Sequence, residues 1–288
     1  MSKKNVIWLA SYPKSGNTWF RVFLTNLLYE TIDPANINDL AEASISSSRK
    51  VFDDYTGLSS SDLSFDEIDN LRPEVYKIQS DETNDLLFKK VHDKFYLVEK
   101  NKPLFPPEIS LGVIYLIRNP LDVLVSFAYH SAKPVNNMIS ILNNPHFAFC
   151  DKNDKLQNQL RQIIGTWSDH VQSWTEQKQI PVLVIRYEDM ILDTFETFKK
   201  AVRFLKIDKN DEQIKTAIHK SDFKILSEQE KENGFKEKMI KSKSFFRKGK
   251  IGDWRNYLDD KMKNEIIDNH KDIMIKFEYL DSNSHPIF

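Results

Sequence analysis

Eight consecutive residues, Tyr12-Pro13-Lys14-Ser15-Gly16-Asn17-Thr18-Trp19, combine a lysine, a glycine and two hydroxyl side chains. Placed between an apolar run and a helical pattern, such residues suit an anion: backbone N–H groups and a helix N-terminus point at it, and the lysine adds a point charge. Gly16 allows close backbone approach. The Gly-x4-Gly-Lys-Ser/Thr spacing of a nucleoside triphosphate loop is absent, which disfavours a nucleotide kinase. A second stretch, Arg118-Asn119-Pro120-Leu121-Asp122-Val123-Leu124-Val125-Ser126, sets an arginine eight residues before a serine. An arginine at a strand end and a serine two helical turns on can meet at one phosphate, the arginine bidentately. The third, Arg247-Lys248-Gly249-Lys250-Ile251-Gly252-Asp253-Trp254, lies in a basic cluster from Lys236 to Lys250.

These stretches need a scaffold, and the chain reads as alternating strands and helices. Val6–Ala10, Phe95–Val98, Val113–Ile117 and Val182–Ile185 are β-branched and aromatic runs that predict buried strands. Helical patterns cover Thr18–Leu28, Leu121–His130, Lys155–Gln177 and Met190–Leu205, with Asn119-Pro120 poised to start the second. Residues 33–85 give no clean period and read as helices and loops that shape an acceptor pocket. The expectation is an α/β fold with a central parallel sheet flanked by helices, in one domain spanning 1–288. The tail from Phe235 to Trp254 reads as an ordered basic loop or a mobile lid.

The first stretch resembles the 5′-phosphosulfate loop of the cytosolic sulfotransferases, Tyr-Pro-Lys-Ser-Gly-Thr-Thr-Trp, with Asn17 as the one departure. The Arg118 to Ser126 spacing resembles that family's 3′-phosphate site, and Arg247–Trp254 resembles its Arg-Lys-Gly-x-x-Gly-Asp-Trp signature. Weaker echoes are Tyr187-Glu188-Asp189-Met190 and Ser221-Asp222-Phe223, similar to segments around the adenine. The likeness spans residues 6 to about 257, as in a bacterial-like member. It implies a P-loop-kinase-like sulfotransferase fold and transfer of a sulfuryl group from 3′-phosphoadenosine-5′-phosphosulfate (PAPS), with release of 3′,5′-adenosine diphosphate. Lys14, Ser15, Gly16, Asn17, Thr18 and Trp19 would hold the phosphosulfate end, and Arg118, Ser126, Arg247, Lys248 and Gly249 the 3′-phosphate. Tyr187, Ser221 and Phe223 would surround the purine.

One family segment is missing where the strand pattern puts it. Cytosolic members carry Lys-Thr-His-x-Pro, whose histidine would be the general base, whereas the run at Phe95–Val98 continues as Glu99-Lys100-Asn101-Lys102-Pro103. Glu99-Lys100 is similar to a segment of heparan-type sulfotransferases, so Lys100 is expected to stabilise sulfuryl charge and a carboxylate to act as base. Glu99 is nearest, although strand alternation sets it opposite Lys100. His92, His130 and His170 are further candidates for the base. The missing histidine also leaves room for a neutral amine acceptor, or for a non-catalytic homologue that binds PAPS or another polyanion.

Composition narrows the class. The 288 residues carry a net charge of −1, with 40% hydrophobic, 29% charged and 12% aromatic residues, so a globular chain without a nucleic-acid partner is expected. The lone Cys150 fits a reducing, cytoplasmic setting. No signal-peptide or membrane-spanning run appears, so no membrane partner is expected. No His/Cys/Asp cluster has ligand spacing, hence no metal. A small-molecule acceptor, a cationic secondary metabolite, is the expectation, and a homodimer stays open.

Overall fold

The computed structural model describes residues 3–30, 32–40, 43–152 and 154–288, the side chains of Ala43 and Lys100 excepted. In chain order the main elements are β1 (Val6–Ser11), α1 (Asn17–Tyr29), β2 (Ala43–Ile45), α2 (Arg49–Thr56), α3 (Phe65–Asp81), β3 (Leu87–Val91), β4 (Ser110–Ile117) and α4 (Pro120–Ser131). There follow α5 (Val135–Leu142), β5 (Ala148–Phe149), β6 (Gln162–Ile163), α6 (Trp167–Glu176), β7 (Val182–Arg186), α7 (Tyr187–Leu192), α8 (Thr194–Phe204), α9 (Asp211–Lys220), α10 (Phe223–Asn233) and α11 (Asp260–Lys276).

Five strands form a central parallel sheet in the order β2-β3-β1-β4-β7, flanked by helices, as the alternating pattern predicts. All six residues of β1 are buried, as a central parallel strand covered on both faces requires. β1 pairs with β3 from Val6↔Leu87 to Ala10↔Val91. Beyond these strand ends the chain runs from β1 into Tyr12, from β3 into His92, from β4 into Arg118 and from β7 into Tyr187. Open α/β sheets bind ligands outside the carboxyl ends of their strands.

By packing, the chain divides into two compact units. The first comprises the described residues of 1–12, 42–115 and 145–184. Trp8 anchors it, fully buried, donating from Nε1 to Ser110 Oγ at 2.8 Å and meeting Tyr76 and Phe105 edge-on. α3 starts with a capping box in which Ser64 and Glu67 satisfy each other's backbone N–H. The second unit comprises the described residues of 13–41, 116–144 and 185–288. Its apolar cluster joins Val22, Ile37, Leu226, Phe235 and Phe246, with Trp19, Phe223 and Phe245 packed against it. The start of α4 fits its sequence signal: Asn119 Oδ1 accepts from Leu121 N at 3.0 Å and Pro120 takes the first helical position.

Three expected elements differ. Phe95–Val98 is not a strand; only a bridge, Leu97↔Pro103, forms there. The place beside β1 belongs to Leu87–Val91, whose lysines, Lys89 and Lys90, disguise it as a surface stretch. The helix expected over Lys155–Gln177 is confined to Trp167–Glu176, because Gly165 takes a left-handed φ of 72° and Thr166 caps a new start by accepting from Asp169 N. Met190–Leu205 is two helices, parted at Asp193, where φ −137° and ψ 61° leave the helical region.

Candidate active site

The first loop is built by strain and close approach. Lys14 has a φ of 73°, a conformation that costs a non-glycine residue on the order of 1 kcal/mol and persists where surroundings enforce it. Gly16, at φ 96°, caps α1, and a Cβ built there would lie 2.7 Å from Tyr187 Cδ2, so only glycine fits beside that ring. Lys14 Nζ sits 3.7 Å from the centroid of Phe245, a cation–π contact that fixes the ammonium. Ser15 Oγ is buried without a protein partner, as a hydroxyl meant for a ligand would be.

Arg118 joins three of the expected segments. Its Nη1 donates to Lys14 O at 3.2 Å, its Nη2 to Lys250 O at 3.3 Å, and its guanidinium lies 4.2 Å over the Tyr187 ring. Its Nε is buried without an acceptor. Ser126 is half-buried on α4, two turns from the helix start. Trp19 meets Tyr187 edge-on at 6.1 Å, while a Cβ built on Gly249 would collide with Phe223 at 2.6 Å. Loop, strand end and C-terminal segment are thereby brought together. Ser221 has a hydroxyl committed elsewhere: it accepts from Asn26 Nδ2 at 3.0 Å and donates to Ala217 O at 2.7 Å.

The basic segment is held by acids to which motif reading gave no role. Asp253 Oδ2 accepts from Arg247 at 2.5 Å and Oδ1 from Lys248 at 2.7 Å, and Arg247 lies 4.4 Å over Tyr129. Burial alone would raise the Asp253 carboxyl, but bonds from Lys248, Arg247 and Asn256 hold it below its ordinary value. Asp122, buried in the first turn of α4, accepts from Gly252 N at 2.8 Å and Trp254 N at 3.0 Å. Glu230 accepts from Phe245 N at 2.6 Å and Phe246 N at 2.8 Å, setting the ring that covers Lys14. An isolated acid carries no phosphate-site signal; the excess of backbone donors in a glycine-rich stretch was the only hint.

In the first unit the outcome concerns the base. Since β3 ends at Val91, the residue leaving the strand next to β1 is His92, not Lys100 or Asn101. Glu99 is exposed in a single 3₁₀ turn, its N–H donating to Asn70 Oδ1 at 3.0 Å, and the Lys100 side chain lies outside the described residues. The opposite-face placing of Glu99 and Lys100 therefore loses its strand. His92 is half-buried, with Nδ1 3.0 Å from Ser11 O. A carbonyl only accepts, so Nδ1 carries the proton and Nε2 is the basic nitrogen. His170 is a packing residue: fully buried, it bonds to Tyr115 OH at 2.8 Å and His92 O at 3.0 Å, and burial pulls its pKa down to about 3. His130 packs edge-on to Phe245 in the second unit.

Residues 4–277 match the sulfotransferase domain family, and the chain belongs to that family. It is similar to flavonol 3-sulfotransferase of Flaveria bidentis, 29% identical over 276 residues that cover 91% of this chain and 79% of that protein. Sulfotransferase 1E1 of Mus musculus is 28% identical over 293 residues, 96% of this chain and 87% of the relative. Among solved structures, mouse sulfotransferase SULT7A1 complexed with PAP superposes with a TM-score of 0.56 at 24% identity, covering 95% of this chain and 84% of that one. No helix among the described residues is long and apolar enough to cross a membrane, and no group of three or more metal-ligating side chains occurs among them.

Proposed function

We propose that the protein transfers a sulfuryl group from PAPS to a hydroxyl or amine of a small molecule. The observation that carries this reading is the junction at Arg118, which touches the Lys14 loop, the Lys250 backbone and the Tyr187 ring at once. Bound PAPS would supply the sulfuryl group and a stable leaving group, 3′,5′-adenosine diphosphate. The chain's own groups fit it: the buried Ser15 hydroxyl and Arg118 Nε lack protein partners, and Gly16 and Gly249 keep the backbone clear beside aromatic rings.

In this reading Lys14 neutralises charge on the bridging oxygen, held in place by Phe245. Arg118, Ser126, Arg247 and the Lys248 and Gly249 amides hold the 3′-phosphate, while Trp19, Tyr187 and Phe223 border the purine. His92 takes the acceptor proton at Nε2, because its Nδ1–H is given to Ser11 O. This reading gives the base's role to His92, one of the histidine candidates, in place of Glu99. A hydroxyl acceptor then becomes the simpler choice, as the name of the flavonol-acting relative also suggests. The two units work as one domain, in the cytoplasm, on a small metabolite, with neither nucleic acid nor membrane as partner; a homodimer is compatible.

Incubation with 35S-labelled PAPS and a pool of alcohols and amines tests the reading. The wild type should label an acceptor, Lys14→Ala should not, and His92→Ala should lose about 10²–10⁴-fold while still binding 3′,5′-adenosine diphosphate. Micromolar binding of that nucleotide without any transfer would instead make the protein a non-catalytic binder, and no binding at all would remove the proposal.

A further inference from the structure

A cavity of about 400 Å³ opens in the first unit, lined by Phe65, Lys94, Tyr96, Ala148, Arg161 and Ile163 among others. That volume suits a small organic molecule. Its walls are flat and apolar at Phe65, Tyr96 and Ile163, and its charged groups are Lys94, Arg161 and Asp151. Arg161 is already balanced: its Nη2 lies 2.6 Å from Asp69 and 3.3 Å from Asp66, and its guanidinium stacks 4.7 Å over Phe65. Its Nε–H, however, is buried without an acceptor. Asp151 is exposed, where water and salt screen it.

Lys94 differs from both. It is half-buried, its side chain laid along the backbone so that a Cβ built on Gly165 would lie 3.5 Å from both Cδ and Nζ. Among the described residues no carboxylate pairs with its ammonium. Asp169 is the acid nearest that spot, its Cβ 3.6 Å from the same Gly165 position, and it makes no ion pair with Lys94 among the described residues. A half-buried cation not held in an ion pair, beside an unused guanidinium N–H and apolar walls, suits an anion on an apolar body. The cavity is also tied to the candidate base. β5 places Ala148 in the wall, while the next residue, Phe149, meets the His92 ring at 6.5 Å. Successive strand residues face opposite ways, so the cavity backs onto the strand that packs on His92.

We infer that this cavity binds a small aromatic or aliphatic anion, a carboxylate or phosphate monoester, through Lys94 Nζ. The anion is the acceptor's own acidic tail or a separate ligand; the chemistry is shared, and two measurements separate the sources. Calorimetry on the full chain with benzoate, benzamide and phenyl phosphate reads the site alone. Both anions should bind roughly tenfold or more tightly than benzamide, and Lys94→Ala should erase the difference. Affinity for 3′,5′-adenosine diphosphate should be unchanged in that variant, which reports that it is folded. Equal binding of benzoate and benzamide, or a preference that survives Lys94→Ala, overturns the inference.

The second measurement rests on the sulfuryl-transfer reading: KM for hydroxyphenylpropionate against its amide, in wild type and Lys94→Ala. A lower KM for the acid that disappears with Lys94, at unchanged kcat, identifies the anion as the acceptor's tail. Benzoate binding with no such KM difference identifies a separate ligand. If transfer fails altogether while the calorimetric preference stands, the sulfuryl-transfer proposal falls and the anion site does not.

Discussion

Glu188 is fully buried one residue after Tyr187, accepting from Asn119 N at 3.1 Å and from Tyr279 OH at 3.0 Å. Burial raises its pKa from 4.5 to about 7, against the opposing pull of Arg118 and these bonds. The folded state thus binds this proton more tightly than the unfolded chain. Stability contributed by protonation is full below about pH 4.5 and is lost as pH rises to about 7, a change on the order of 3 kcal/mol. Urea melts at pH 5 and pH 8 should show that loss in the wild type. Glu188→Gln keeps an acceptor for Asn119 and an amide for Tyr279, and should flatten the pH dependence. An unchanged slope would mean that the carboxyl titrates normally. The same physics explains why Tyr187-Glu188-Asp189 could not be read fully from sequence: the motif names an acid, but only its burial sets the charge it carries.

At the scale of elements, α4 does two things. Its N-terminal approach carries Arg118, and its first turn carries Asp122, which ties down Gly252 and Trp254. The basic segment is thereby ordered by a helix more than a hundred residues earlier in the chain. Removing that carboxylate leaves two backbone N–H groups without a partner, at about 1–3 kcal/mol each. Asp122→Ala should therefore weaken 3′,5′-adenosine diphosphate binding by at least about tenfold in calorimetry, while leaving Arg118, Arg247 and Lys248 in the sequence. Wild-type affinity in that variant would show that the segment holds its conformation unaided. In the expected basic loop or lid, Asp122, Asp253 and Glu230 each accept a charge-assisted hydrogen bond from the segment.

For the whole molecule, the question is whether the two compact units unfold together. Acting as one domain over 1–288, they should give a single calorimetric transition. Saturating 3′,5′-adenosine diphosphate at 100 times Kd should add about 2.7 kcal/mol, raising Tm by roughly 4–5 °C. Two transitions, only one of them moved by the nucleotide, would make the units independent.

Short-range chemistry was legible in the residues themselves. A lysine, a glycine and hydroxyls after a six-residue buried strand, Asn-Pro at a helix start, and Arg-Lys-Gly before Gly-Asp-Trp state their backbone needs locally, so the α/β order followed from sequence alone and the candidate anion-binding segments could be named from it. What the chain did not disclose was which run lies next to β1. Hydrophobicity favoured Phe95–Val98 over Leu87-Phe88-Lys89-Lys90-Val91, because a strand's lysines look like surface until their pairing is seen. Strand pairing joins residues about eighty positions apart, and no local pattern encodes that partner. Only the tertiary structure could set His92 at the end of β3, give its Nδ1 proton to Ser11, and bring Lys94 into the wall of a cavity.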